Sequence, residues 1–209
     1  MEDRTIYFLF TDTGTYLSKA INYCTRQTLN HVSISFDSEL SEVYSFGRKQ
    51  PRNPFIGGFV KEDIRSDFLK NSNCAIYSYT FTEQECTSIL NNIKEIEADQ
   101  SNYKYNFIGL IGVLLQIEIN RKHAYFCSQF VAMMLRDSEH FNISKPACFT
   151  TPTDIRMHEG MQLIYEGKLK DYQVHRVSHE RKLVKGNQTV PKQSFIFLIS
   201  SKVKRFVIK

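Results

Sequence analysis

Residues 125–131 read YFCSQFV and set one thiol, Cys127, between aromatic residues where an apolar run, VAMML, begins to repeat at helical spacing. A cysteine in the first turn of a helix faces backbone N–H groups that lack intrahelical partners and the positive end of the macrodipole. Both favour the thiolate, the form that attacks carbonyl carbon. The competing use of such a residue is packing, since free cysteine is among the most buried residue types.

A nucleophilic thiol needs a base, and imidazole is the usual one because it titrates near neutrality. His31 opens the run HVSISFD, in which Val32, Ile34 and Phe36 alternate with His31, Ser33 and Ser35. That period of two predicts a half-buried strand with the histidine on the face opposite the apolar residues. His123 is nearer in sequence, but an extended HAYFC holds it about 13 Å from Cys127. His140, His158, His175 and His179 lie in polar stretches and read as surface residues.

The base wants an acceptor for its other ring nitrogen. EVYSFG (42–47) reads as the hairpin partner of HVSISFD across the turn SELS, which places Ser45 on the face of His31, directly opposite or one diagonal away. Ser45 is the third-residue candidate, with Glu42 and Asp37 in reserve. The backbone N–H of Cys127 is the candidate oxyanion donor, and Tyr125 and Gln129 are the side-chain candidates.

These residues need a scaffold. TIYFLF (5–10) suits a buried strand, and TDTGTYLSKAINYCT places Tyr16, Leu17, Ala20 and Ile21 on one face of a helix. RKQPRNPFIGG (48–58) reads as a loop by its prolines and glycines. CAIYSYTF (74–81) reads as a strand running into a helix opened by a Thr82/Glu85 capping box, with Cys86 as core filler. FIGLIGVLLQI (107–117) is apolar on all sides yet about half the ~20 residues needed to span a bilayer, which predicts a buried helix; a membrane-contacting or acyl-chain-binding wall is its functional alternative. Thr151 and Asp154 repeat the capping pattern, and DYQVHRV, SFIFLIS and KRFVIK read as late strands. Strands and helices without regular βα alternation favour α+β with an antiparallel sheet.

Composition narrows the classes further. With 42% hydrophobic residues the chain can bury a core. The start, MEDRTIYFLF, lacks the pattern of a secretory signal, so a cytoplasmic location is expected. Five cysteines without CxxC spacing point to reduced thiols, and neither a structural zinc nor a cofactor is expected. Charge is uneven: residues 168–209 carry +9 and residues 1–167 carry −4. We therefore expect a domain over 1–175 and a basic appendage over 176–209, its strands packed on the same domain. The appendage suits anionic lipid by Coulomb attraction. Nucleic acid is disfavoured because HRVSHERKLVKGNQ interleaves no aromatic platforms with its charges.

A strand beginning NHVSI, a neighbour EVYSFG and, some 80 residues on, a helix entered through YFCSQFVAMML resemble the circularly permuted branch of the NlpC-type papain-like superfamily, the branch of the YiiX-like bacterial proteins and lecithin retinol acyltransferase. The resemblance spans roughly residues 5–165. It implies a permuted papain-like fold with the nucleophile helix packed on an antiparallel sheet. It also implies Cys127 as nucleophile, His31 as general base and acid, and Ser45 at the third polar position. The implied activity is that of a cysteine hydrolase (peptidase or amidase) or acyltransferase on amide, ester or thioester bonds. Its substrates would be small molecules, peptides or acyl lipids. A catalytically weak lipid- or small-molecule-binding module of the same fold is the alternative, motivated by Ser45, whose hydroxyl carries no charge to stabilise an imidazolium.

Overall fold

The computed structural model describes residues 3–12, 14, 27–50, 53–119 and 121–177. The chain divides into two compact units, 1–172 and 173–209. Of the second, 173–177 are described and are helical. The helix expected within TDTGTYLSKAINYCT (11–25), the strands SFIFLIS and KRFVIK, and His179 fall wholly or almost wholly outside the described residues.

The first unit is built on a six-stranded antiparallel sheet with strands in the order β4-β3-β2-β1-β5-β8. The strands are β1 (Asp3–Asp12), β2 (His31–Ser35), β3 (Val43–Gln50), β4 (Asn53–Lys61), β5 (Asn73–Thr82) and β8 (Gln162–Lys168). Two short strands, β6 (Lys104–Tyr105) and β7 (Ala124–Tyr125), form a separate parallel pair. The described helices are α1 (Glu83–Ala98), α2 (Phe107–Leu115), α3 (Cys127–Leu135) and the short α4 (Pro152–Arg156). This is a mixed helix and sheet architecture compatible with α+β.

Alternation along the strands gives the sheet two buried faces. On one, Phe8, Phe10, Val32, Ile34 and Phe46 meet Cys86, Ile89 and Ile93 of α1 and Phe130 and Val131 of α3. On the other, Leu9, Val43, Cys74 and Ile76 meet Leu40, Ile64, Leu69, Leu169 and Tyr172 from connecting segments. β2 is therefore covered on both sides, where half-burial was expected: Ser33 and Ser35 are as buried as Val32 and Ile34.

The helix starts follow from local chemistry. Both capping boxes form: the Thr82 hydroxyl accepts from the Glu85 amide while the Glu85 carboxylate accepts from the Thr82 amide, and Thr151 and Asp154 do the same at α4. Each supplies acceptors to N–H groups that a helix start leaves unpaired.

Three expectations fail. RKQPRNPFIGG is not a loop over its described residues: 48–50 belong to β3 and 53–58 to β4, which pair antiparallel, Tyr44 to Lys61 and Phe46 to Phe59. Pro54 falls on an edge strand, the place in a sheet to which proline is largely confined. The glycines serve close packing: a side chain at Gly57 would meet Tyr105 Cβ at 2.8 Å and the Gly47 carbonyl oxygen at 2.7 Å. DYQVHRV is not a strand either. Residues 169–171 make a 3-10 turn and 172–177 are helical, because Leu169 and Tyr172, three residues apart, are both buried in the second core. Tyr172 fixes this by donating its hydroxyl to the Ser38 carbonyl oxygen at 2.7 Å. The unit boundary accordingly falls after Tyr172, three residues before the sequence-based division. Lastly, α2 is not buried: Ile108, Ile111 and Leu115 are 51%, 41% and 62% exposed.

Candidate active site

Cys127 is the first residue of α3, after an extended Phe126 that makes no side-chain cap. No capping side chain takes up the first-turn amides of α3. The residue belongs to the core cluster under the sheet and is 5% exposed, yet it lies on the wall of a cavity of about 240 Å³. Its Sγ lies 3.9 Å from the carbonyl oxygen of Asn30, the residue before β2.

β2 starts at His31, which pairs with Thr11 of β1. α3 packs on the Val32 face, and its Cys127 Sγ lies beside the carbonyl oxygen of Asn30, the residue before His31, so that the thiol reaches the strand end that carries the imidazole and helps to raise its pKa. The two residues that the sequence marked as base and nucleophile are thus brought together from positions 96 residues apart.

The third group is a residue that sequence reasoning missed. Glu62 follows β4 directly, and its amide donates to the Val43 carbonyl oxygen at 2.8 Å, which continues the β3–β4 ladder by one step. That register carries its side chain to the His31 face. Glu62 Oε1 lies 2.7 Å from His31 Nε2, and Ser33 Oγ donates to Glu62 Oε2 at 2.5 Å. The two side chains are only 14% and 9% exposed. The carboxylate engages Nε2, the ring nitrogen that Ser33 and Ser45 also approach.

Ser45 lies where the hairpin reading put it, on this face. Ile34 pairs with Tyr44 and Ser35 with Val43, so the register sets Ser45 across from Ser33, one diagonal from His31. Its Oγ is 3.5 Å from His31 Nε2, but the hydroxyl donates to the Val32 carbonyl oxygen at 2.8 Å. Ser45 braces the strand pair, and Glu62 holds the ring. The reserves lie elsewhere: Glu42 accepts from Tyr44 and Lys61 on the opposite face, and Asp37 caps the turn at Ser41. A β4 strand in place of the expected loop was the only signal that could have found Glu62.

The electrostatics form one system. Burial pulls the His31 pKa down, but the Glu62 carboxylate and Cys127 outweigh it and hold the imidazolium well above its ordinary 6.5. Burial pushes Glu62 up, yet His31 and the Ser33 hydroxyl bring its carboxyl below 4.5. The two shifts agree: each partner keeps the other charged. Tyr105 of β6 also faces the thiol. Desolvation first, and then the charge of Cys127, raise its phenol far above 10.

The remaining candidates take other roles. Gln129 is 4% exposed, and its Oε1 accepts from Asn106 Nδ2 at 3.5 Å. Tyr125 packs edge-on against Phe46. His123 stacks on Tyr103, His140 pairs with Glu85, and His158 stacks on Phe141. His175 lies in the second unit.

Leu29, Leu110, Val113, Phe126 and Pro152 give the cavity its apolar wall, with Thr150 and Thr151 on the rim of α4. A volume somewhat below the ~300–1,000 Å³ of drug-sized pockets suits one narrow group. Among the described residues no cluster of His, Cys, Asp and Glu could hold a metal ion, and no helix is long and apolar enough to cross a membrane.

No family model, curated protein or solved structure matches the chain.

Proposed function

We propose that the chain is a cysteine hydrolase or acyltransferase of permuted papain-like type, acting through Cys127, His31 and Glu62 on an amide, ester or thioester carbonyl. One observation carries this reading: a buried carboxylate holds Nε2 of an imidazole that also bears on a helix-first thiol, beside an open cavity.

The chemistry follows from the proton inventory. His31 carries a proton that Glu62 stabilises, and the thiolate, formed by loss of the Cys127 proton, is the attacking species. The sulfur adds to the carbonyl carbon, and the carbonyl π electrons move to oxygen, which the first-turn amides of α3 face. Collapse of that oxyanion breaks the bond to the leaving amine, alcohol or thiol, which takes the His31 proton. A thioester remains on Cys127. Water, or an acceptor nucleophile, then gives its proton to His31 and attacks the thioester, and the acyl group leaves as acid or transferred product while the thiolate is restored. The binding-module alternative loses its motive, because a charged orienter stands where a hydroxyl was expected.

Labelling tests the reading. A mild alkylating reagent at neutral pH should modify Cys127 ahead of Cys24, Cys74, Cys86 and Cys148, and His31→Ala should slow that modification about ten-fold or more. Equal rates at all five thiols, indifferent to His31, would overturn it.

A further inference from the structure

The loop that carries α2 is pinned at its base and apolar at its tip. Its two ends are clamped by the parallel β6–β7 pair, with the Lys104 amide donating to the His123 carbonyl oxygen and the Asn106 amide to that of Tyr125, each at 2.9 Å. Asn106 caps α2 by accepting from the Gly109 amide at 2.9 Å. After the helix the chain folds back on Gly112, whose carbonyl oxygen accepts from the Ile117 amide at 2.9 Å and where a side chain would strike the Ile117 carbonyl oxygen. The segment is a built element, anchored through its inner side.

The outer side has a pattern that anchoring does not require. The helix FIGLIGVLL contains no polar residue. Leu110 and Val113 line the cavity that holds Cys127. Ile108, Ile111 and Leu115, at positions i, i+3 and i+7, form one exposed stripe, extended by Ile117 at 54%. A helix apolar all round suits the interior of a protein or of a bilayer. This one, at nine residues, is too short to span. The clamped base carries exposed Lys104, Arg121 and Lys122, while Glu118 is the only acidic residue between 104 and 123. An apolar stripe above a cationic collar is the distribution of an interfacial element that enters the acyl layer and meets anionic headgroups.

We propose that Ile108, Ile111, Leu115 and Ile117 dock on an anionic phospholipid surface and thereby hold the mouth of the Cys127 cavity at the acyl chains. Docking stands on the α2 segment alone; the consequence that the thiol acts on a lipid-borne acyl group rests on the function proposed above. The same helix faces both environments, so a chain leaving the bilayer along Leu110 and Val113 would lead its carbonyl towards sulfur.

The 209-residue chain contains no tryptophan, so Leu115→Trp provides a single reporter. Its emission should shift to the blue on adding vesicles of phosphatidylcholine with phosphatidylserine, and brominated acyl chains should quench it. Wild type should co-sediment with those vesicles more than with phosphatidylcholine alone. The I111E/L115E double variant should lose about ten-fold or more of the partition, and R121E/K122E should lose the preference for phosphatidylserine. Cys127→Ser should bind as wild type does, which separates docking from chemistry. Binding that survives I111E/L115E would assign it to the basic residues 168–209 and overturn the proposal. So would absence of binding to either vesicle, an unshifted indole emission from the Leu115→Trp variant, or a wild-type dimer that L115E dissociates without any lipid association.

Discussion

Cys86 and Cys127 invite comparison because so much about them is alike. Each stands in the first residues of a helix, each belongs to the same core cluster, and they are 4% and 5% exposed. The Cys86 sulfur faces the Arg4 carbonyl oxygen at 3.8 Å, and burial pushes its thiol up to about 11. The Cys127 sulfur likewise faces a carbonyl oxygen, that of Asn30 at 3.9 Å, but it adjoins the strand end at His31, an imidazole backed by a buried carboxylate, and lines a cavity. A helix start and low exposure are therefore common to both thiols. What differs is the polar neighbourhood, and on the function proposed above it is that neighbourhood that would hold the countercharge a desolvated thiolate needs.

The widest gap between the two cysteines should appear on replacement. Cys127→Ser should lower turnover of an ester or thioester substrate by about 10³-fold or more, whereas Cys86→Ser should leave it within about two-fold and lower only stability; measured kcat for both variants decides this. Next in size is Glu62→Gln, which removes the charge that distinguishes Cys127's surroundings. It should reduce kcat/KM by about 10²-fold and move the alkaline limb of the pH profile to lower pH, because His31 loses the carboxylate that raises it.

The same substitution has a stability signature with a defined sign. His31 is raised in the folded chain, so its contribution is full below about 6.5 and is lost as pH rises through the folded value; Glu62 is lowered, so its contribution is full above about 4.5 and is lost as pH falls through its folded value. Wild type should exceed Glu62→Gln in urea-unfolding free energy most between about pH 4.5 and 6.5, by roughly 1–3 kcal/mol. The difference should shrink above and below. A difference independent of pH would mean that Glu62 packs rather than pairs.

The smallest effect is expected at Ser45, which sits near the ring without holding it. Ser45→Ala leaves the buried Val32 carbonyl oxygen without its hydroxyl donor and should cost about 1 kcal/mol in thermal or urea unfolding. Turnover should change by no more than about three-fold. A loss as large as that of Glu62→Gln would make Ser45, not Glu62, the group that orients the base.

Much of the fold was legible because it is locally encoded. The alternation of HVSISFD, the Thr82/Glu85 and Thr151/Asp154 boxes and the apolar spacing after Cys127 each specify a strand or helix within a few residues. β4 was not legible. Pro54, Gly57 and Gly58 speak for a loop by local propensity, and only an edge position in the sheet and the close approach of β6 make them compatible with a strand. Glu62 was lost with it, since a carboxylate after a supposed loop has no face. The exposure of α2 was likewise hidden: a run apolar on all sides gives no direction, and burial on one side only is decided by what packs against it.

The sequence by itself determined the chemical types, namely a thiol entering a helix and an imidazole opening a strand, because those depend on periodicity and end effects spanning one turn or a few pleats. Only the tertiary structure decided which carboxylate holds the imidazole and which face of α2 remains open. These are relations between segments tens of residues apart, set by strand register and layer packing, and no local pattern in the chain encodes them.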